Sequence, residues 1–287
     1  MQEIVYLNGA FVPARDAKIS IFDRGLLFAD SVYEGFGLLE GDLIDLPFHY
    51  ARLVRSLETV GIDVPLSIDE VYTVITELNR QNGIDSGFSY LQVTRGEQAP
   101  RDFVYAQGLT PNIFAFAMPQ TDWFAEETPR AIRLKSQPDL RWARRDIKTT
   151  NLLAQVMAKR AAAQDGVDEA LLIDDDGHVT ECGSTSFYIM KSGVLITRPL
   201  SHDILHGCTR KRVLSVAEEL GIPVEERLFT LREALKADEA FHTAASFYVK
   251  PVGEIDGMRI GNGKAGPATL KLRAAYLDTV RRDTYRP

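Results

Sequence analysis

Positions 139–157 read DLRWARRDIKTTNLLAQVM, a charged run that ends at Lys148 and gives way to an apolar stretch. The run from Asp139 to Lys148 carries too much charge to be core. Leu152, Leu153, Val156 and Met157 recur at helical spacing, so a helix is expected over 149–164 with those four on its buried face. A strand at 131–136 precedes the charged run. Short strands follow the helix at 170–173, around Val179, at 187–190 and at 194–197, the first two flanking the turn Asp174-Asp175-Asp176-Gly177. Beyond them come a helix over 209–220, a short helix capped by Thr230 and Glu233, a strand at 247–255 and a closing helix over 270–281.

On the N-terminal side, Asn8-Gly9 joins strands 4–7 and 10–12 in a hairpin, because both residues accept positive φ. A second hairpin turns at Glu40-Gly41-Asp42. Helices are expected over 49–60 and 67–82, the second opened by the capping box Ser67-x-x-Glu70, with strands at 88–94 and 113–118. Runs of strands broken by single helices make this an α+β chain. Regular βαβ alternation is missing, and so are GxGxxG and GxxxxGK[ST], which argues against Rossmann and P-loop chemistry. The stretch 119–129 mixes Pro, Gln, Thr and Glu without periodicity. It is expected to be a linker between an N-terminal domain at 1–118 and a C-terminal domain at 130–287.

Composition narrows the function classes. The chain has 287 residues, 45% apolar and 25% charged, enough for two domains with their own cores. With 33 Lys and Arg against 40 Asp and Glu the net charge is −7, the wrong sign for binding a phosphate backbone. Cys182 and Cys208 form no CxxC pair and read as reduced thiols of a cytoplasmic protein. The N-terminal residues have no long apolar run behind them, so neither a secretory leader nor a membrane span is expected.

Three places carry chemistry. Lys148 closes a segment rich in arginine, directly before an apolar helix, a setting in which an amine can serve as nucleophile and form a Schiff base; the plainer alternative is a solvated lysine in a basic run. Gly207-Cys208-Thr209 opens a helix, where free N–H groups and a hydroxyl suit a phosphate, although a simple N-cap has the same pattern. Glu181 stands after a strand and before Gly183-Ser184-Thr185-Ser186, where a carboxylate can keep a ring nitrogen protonated or simply sit in a polar turn. No metal site is expected. His202-Asp203-Ile204-Leu205-His206 lacks the glutamate of a zinc protease helix, and the Asp174–Gly177 run lacks the spacing of a calcium loop.

In this order, the motifs resemble the class IV, fold-type IV pyridoxal 5'-phosphate (PLP) aminotransferases, most closely the D-amino-acid transaminases. The resemblance rests on Asn8-Gly9, Asp23-Arg24-Gly25, Val32-Tyr33-Glu34, His49-x-x-Arg52-Leu53, Gln92-Val93-Thr94-Arg95-Gly96, Arg145-Asp146-Ile147-Lys148-x-x-Asn151, Val179-Thr180-Glu181, Gly207-x-Thr209-Arg210 and Pro251-Val252-x-Glu254. It implies a homodimer with a small N-terminal domain, a larger C-terminal pseudo-barrel domain and the active site between them. It also implies a role for each matching residue. Lys148 is the Schiff-base lysine, Glu181 the partner of the pyridine nitrogen and Arg52 a phosphate ligand, with Cys208, Thr209 and Ala245 completing the phosphate shell. Tyr33 lines the substrate pocket, and Arg101 reaches from the partner subunit to hold the substrate carboxylate, with Phe103 beside it. The reaction implied is ping-pong transfer of the amino group of a D-amino acid to a 2-keto acid.

The sequence departs from the D-type pattern in the loop Arg101-Asp102-Phe103, where Arg-x-His is usual; the histidine is missing and Asp102 can pair with Arg101. The turn Thr243-Ala244-Ala245-Ser246 is also less hydroxylated than in many relatives. Competing readings are an (R)-amine transaminase, favoured by Phe103, a branched-chain L-amino-acid transaminase, and an aminodeoxychorismate lyase. A non-catalytic PLP-binding protein is the reading outside enzymes, and Lys148, Glu181 and Arg52 argue against it.

Overall fold

A computed structural model describes residues 3–120 and 129–286. The chain forms two compact units, one of Met1–Thr121, Ile147–Asn151 and Asp283–Pro287, the other of Asp122–Asp146 and Leu152–Arg282. Most of the expected linker lies outside the described residues, and Pro119 ends a strand.

The first unit contains β1 (Ile4–Leu7), β2 (Ala10–Pro13), α1 (Arg24–Phe28), β3 (Ser31–Leu39), β4 (Asp42–Leu43), α2 (Leu46–Val60), α3 (Ile68–Asn82), β5 (Gly87–Thr94) and β6 (Asn112–Pro119). Its strands pair antiparallel in the order β2-β1-β6-β5-β3-β4. Asn8 and Gly9 take φ of 47° and 95°, the positive pair that a two-residue hairpin requires. Helix α2 begins a turn earlier than the apolar spacing suggests, because Pro47 fits a first helical turn, where its missing N–H has no partner to lose. The capping box of α3 is formed in both directions: Glu70 N–H donates to Ser67 Oγ and Ser67 N–H donates to the Glu70 carboxylate. Leu53 and Leu57 of α2 and Val71, Ile75 and Leu78 of α3 share a core with Val32, Phe36 and Leu91 of the sheet.

The second unit contains β7 (Ile132–Pro138), α4 (Leu153–Gln164), β8 (Glu169–Ile173), β9 (Val179–Cys182), β10 (Ser186–Lys191), β11 (Val194–Thr197), α5 (Cys208–Glu219), β12 (Val224–Glu226), α6 (Leu231–Ala234), β13 (Glu239–Ala244), β14 (Tyr248–Ile255), β15 (Met258–Arg259) and α7 (Pro267–Arg282). Its mixed sheet runs β12-β11-β10-β13-β14-β7-β8-β9, with β15 paired to β14. Phe187, Ile189 and Ile196 pack with Leu134, Leu171 and Val252 in its core. The α+β reading holds. Strands β12, β13 and β15 have no counterpart in the sequence reading; β13, EAFHTA, mixes polar residues into a buried strand and so shows no clean alternation.

Three local expectations are corrected. Helix α4 starts at Leu153, not at Thr149, because Tyr33 N–H donates to the Lys148 carbonyl and Val32 bridges Thr149, so this segment lies extended beside β3. The apolar face expected to be buried is exposed at Leu153, Val156 and Met157, and α4 packs instead through Ala158 and Ala162. The charged run is not all surface: the Asp139 and Arg141 side chains are buried as an ion pair at 2.8 Å, and Asp146 is buried against Arg144.

Glycine tests the first sheet directly. Gly96 follows β5 at φ 101°, and a Cβ there would run into the Thr110 carbonyl, whereas Gly9 opens onto free space. Gly96→Ala is expected to cost about 3 kcal/mol or more, and Gly9→Ala only about 1 kcal/mol, as measured by denaturant unfolding.

Candidate active site

In the first unit, Lys148 is held by its backbone on both sides. Its carbonyl accepts from Tyr33 N–H at 3.0 Å and its N–H donates to Ser56 Oγ at 3.3 Å. The hydroxyls of Ser31 and Thr150 meet nearby. Its Nζ stands 4.2 Å from the Tyr33 ring centroid, and Tyr33 stacks on Tyr90, which stacks on Phe116. An amine over a π face on an anchored backbone has few positions to sample. The arginines ahead of it in sequence each pair with acids. Arg141 pairs with Asp139 and Glu181, Arg144 with Asp146, and Arg145 with Asp139 and Asp203.

Arg52 projects from α2 onto Glu34 of β3, with Nε donating to Oε2 at 3.0 Å and Nη2 to Oε1 at 2.6 Å. His49 Nδ1 lies 3.0 Å from Oε1 of the same carboxylate. Residues three apart on a helix share a face, so His49 and Arg52 reach one acceptor. Burial alone would raise the Glu34 carboxyl, but the charges of Arg52 and His49 and their hydrogen bonds outweigh it and hold the group far below its ordinary value. The guanidinium is thereby fixed in orientation.

In the second unit, Glu181 lies in the fully buried strand β9. Its Oε2 accepts from Arg141 Nη1 at 2.6 Å and from the Leu205 N–H at 3.1 Å. Asp139 holds the rest of the Arg141 fork, through Nε at 2.9 Å and Nη2 at 2.8 Å, and accepts from Thr180 Oγ1. Burial pushes the Glu181 carboxyl up, with Arg141 opposing it. Cys208 and Thr209, both buried, form the first turn of α5, whose N-cap Gly207 makes no side-chain cap. A Cβ on Gly207 would come within 2.8 Å of Ser186 Oγ, so the approach to the helix terminus is built for bare backbone. Ser186 pairs with Thr243 across β10 and β13, and the hydroxyls of Thr243 and Tyr188 lie 3.1 Å apart. Ala245 sits half-buried in the turn after β13.

Arg101 and Phe103 lie on an exposed loop of the first unit, Phe103 at 76% exposure. Asp102 does not pair with Arg101; its Oδ1 accepts from the Val104 N–H at 3.0 Å. Sequence reading assigned no role to Glu34 or His49, which stand beside Arg52, and took Arg141 only as part of the basic run ahead of Lys148 rather than as a partner of Glu181. Among the described residues, no group of three or more His, Cys, Asp or Glu could hold a metal ion, and no helix is long and apolar enough to cross a membrane.

The sequence matches the family described as amino-transferase class IV over residues 31–255. The chain belongs to the class IV aminotransferases. It is 39% identical over 280 residues to the D-alanine aminotransferase of Bacillus licheniformis, covering 98% of each chain. It is 38% identical over 281 residues to a putative branched-chain-amino-acid aminotransferase of Methanocaldococcus jannaschii, covering 96% of this chain and 95% of that one. Its backbone matches the branched-chain amino acid aminotransferase of Thermobaculum terrenum, solved in its PLP form, at a TM-score of 0.85 and 25% identity over 97% of this chain and 94% of that one.

Class IV aminotransferases are PLP enzymes, and the donors present fit that cofactor. An uncapped helix terminus with a threonine hydroxyl suits a phosphate dianion, and a buried carboxylate suits a pyridinium.

Two substitutions test these electrostatics. Glu34→Gln leaves Arg52 and His49 facing an amide and is expected to destabilise the protein by about 3 kcal/mol at pH 7. The folded carboxyl titrates below its ordinary 4.5, so its stabilising contribution is complete above that pH and is lost as pH falls further. Thermal unfolding of the two proteins from pH 7 down to pH 3 should therefore converge (about 4.5 marks the onset). Arg141→Gln removes the charge that opposes burial at Glu181, so that carboxyl rises further. PLP affinity, followed by absorbance titration, is expected to fall about tenfold, with a larger loss at pH 6 than at pH 8.5 (roughly one pKa unit of lost charge stabilisation).

Proposed function

We propose that this class IV aminotransferase acts on D-amino acids, with pyruvate or 2-oxoglutarate as acceptor, as a cytoplasmic homodimer. The observation that carries the reading is Arg101: its exposed guanidinium has no carboxylate partner among the described residues, and Asp102 is engaged elsewhere. An unpaired arginine on the loop where D-type enzymes hold the substrate carboxylate suits an amino acid better than a simple amine. The D-type strand Gln92-Val93-Thr94-Arg95-Gly96 and the Bacillus licheniformis relative support the same stereochemistry.

When bound, PLP supplies the electron sink that makes the substrate Cα–H bond acidic. In this reading Lys148 is the attachment point for PLP, and its Nζ takes the proton from Cα. Glu181 would accept the ring N–H, and Arg141 opposes the burial that pushes the Glu181 carboxyl up. Arg52, Cys208, Thr209 and the Ala245 turn hold the phosphate, Arg52 in the orientation that Glu34 imposes. Tyr33 lines the substrate pocket beside Lys148. Two half-reactions then follow in turn, the donor leaving as a keto acid before the acceptor enters.

The Methanocaldococcus jannaschii and Thermobaculum terrenum relatives favour a second reading, a branched-chain L-amino-acid transaminase. Single-turnover assays of the PLP-loaded protein with D-alanine, D-glutamate, L-leucine and (R)-1-phenylethylamine separate the two. Keto acid release from the D-amino acids, faster than from the others and abolished in Lys148→Ala, is the expected result. Faster turnover of L-leucine overturns the D-specific reading in favour of the second; faster turnover of the amine overturns both.

A further inference from the structure

The loop that carries Arg101 is braced as firmly as a regular element. Arg24, buried at the start of α1, donates from Nη1 to the Asp102 carbonyl at 2.6 Å and from Nη2 to the Phe103 carbonyl at 3.0 Å. Its Nε binds Asp30, which also binds Arg95, and Arg95 donates to the carbonyls of Val60 and Gly61 at the end of α2. The Tyr105 ring lies against the Arg95 guanidinium at 3.8 Å. Burial would raise the Asp30 carboxyl, but the two arginines outweigh it and keep it ionised. A second seam joins Gln98 N–H to the Phe22 carbonyl.

On this support Arg101 lies against a pair of rings that also touch each other. Its guanidinium carbon lies 4.3 Å from the Phe28 centroid and 4.9 Å from the Phe103 centroid, and the two rings are 5.2 Å apart. No acid takes up its charge among the described residues. An exposed arginine normally loses much of its rotamer freedom when it grips a carboxylate. Stacking engages the flat face of a guanidinium and leaves the N–H fork in its plane free for a bidentate acceptor.

We propose that Phe28 and Phe103 are specificity-determining residues: they hold the Arg101 guanidinium in the orientation that clamps a substrate α-carboxylate, so the usual histidine of this loop is dispensable. Arg24 is a positioning residue, since it fixes the carbonyls of Asp102 and Phe103 on which that orientation depends. The inference rests on reading the chain as an amino-acid transaminase and names what makes it carboxylate-selective.

The test uses the PLP-loaded enzyme and two probes: steady-state kinetics with D-alanine, and calorimetric titration with propionate, a carboxylate that cannot turn over. Phe103→Leu keeps apolar volume but loses the π face. It is expected to raise both KM for D-alanine and Kd for propionate about tenfold, with kcat changed less than about twofold. Phe103→Tyr, which keeps the face, is expected to restore both constants, and in Phe103→Leu the loss toward D-alanine should exceed any change toward (R)-1-phenylethylamine. Unchanged propionate affinity in Phe103→Leu overturns the proposal, as does an equal loss toward the amine. If wild-type enzyme converts no α-amino acid, the functional reading fails instead. Propionate affinity, which needs no turnover, still decides whether the rings orient Arg101.

Discussion

The hydrogen bond from the Tyr33 N–H to the Lys148 carbonyl governs more of this molecule than its size suggests. It lays Ile147–Asn151 along β3, so Lys148 is presented from extended backbone rather than from a helix. Helix α4 begins only at Leu153, after the Lys148 carbonyl and the Thr150 N–H have found partners on β3. The same pairing sets the Lys148 amine above the Tyr33 ring, and the stack Tyr33, Tyr90 and Phe116 carries that support across the sheet.

Within each unit the chain buries charge in hydrogen-bonded sets. Glu34 satisfies Arg52 and His49 together, and Arg141 joins Asp139 to Glu181. A buried ion with one partner removed is costly, while a fully hydrogen-bonded set is rigid. Each set therefore fixes the direction of a group proposed to meet the cofactor: the Arg52 fork in one unit, the Glu181 carboxylate in the other. The loop at Arg101 works differently. There Arg24, Asp30 and Arg95 form the ion network that anchors backbone, and the Arg101 guanidinium itself is left to aromatic rings.

Much of this was readable in the residues. Hairpins at Asn8-Gly9 and Glu40-Gly41, the capping box at Ser67 and the turn at Gly177 are local devices, set by positive φ or by a side chain reaching its own backbone. Lys148, Glu181 and Thr209 drew notice through their sequence neighbours, and Arg52 only through the order of motifs that carries the family resemblance. The charged run 139–148 misled, since charge density alone does not distinguish a solvated surface from acids and arginines that pair with each other. The face of Leu153, Val156 and Met157 misled for a related reason: helical spacing shows that a stripe exists, but a stripe of alanines on the other side is what packs.

The residues taken alone set the α+β class, most element positions and the aminotransferase family, because turn chemistry, periodicity and motif order are local properties. It took the folded chain to show that Lys148 belongs to the first unit's sheet, that Glu34 and Arg141 steer the residues beside them, and that Asp102 turns away from Arg101. The first two outcomes rest on partners 18 to 115 positions apart, from Glu34 with Arg52 to Tyr33 with Lys148. Hydrogen-bond geometry selects such partners only once the backbone is in place.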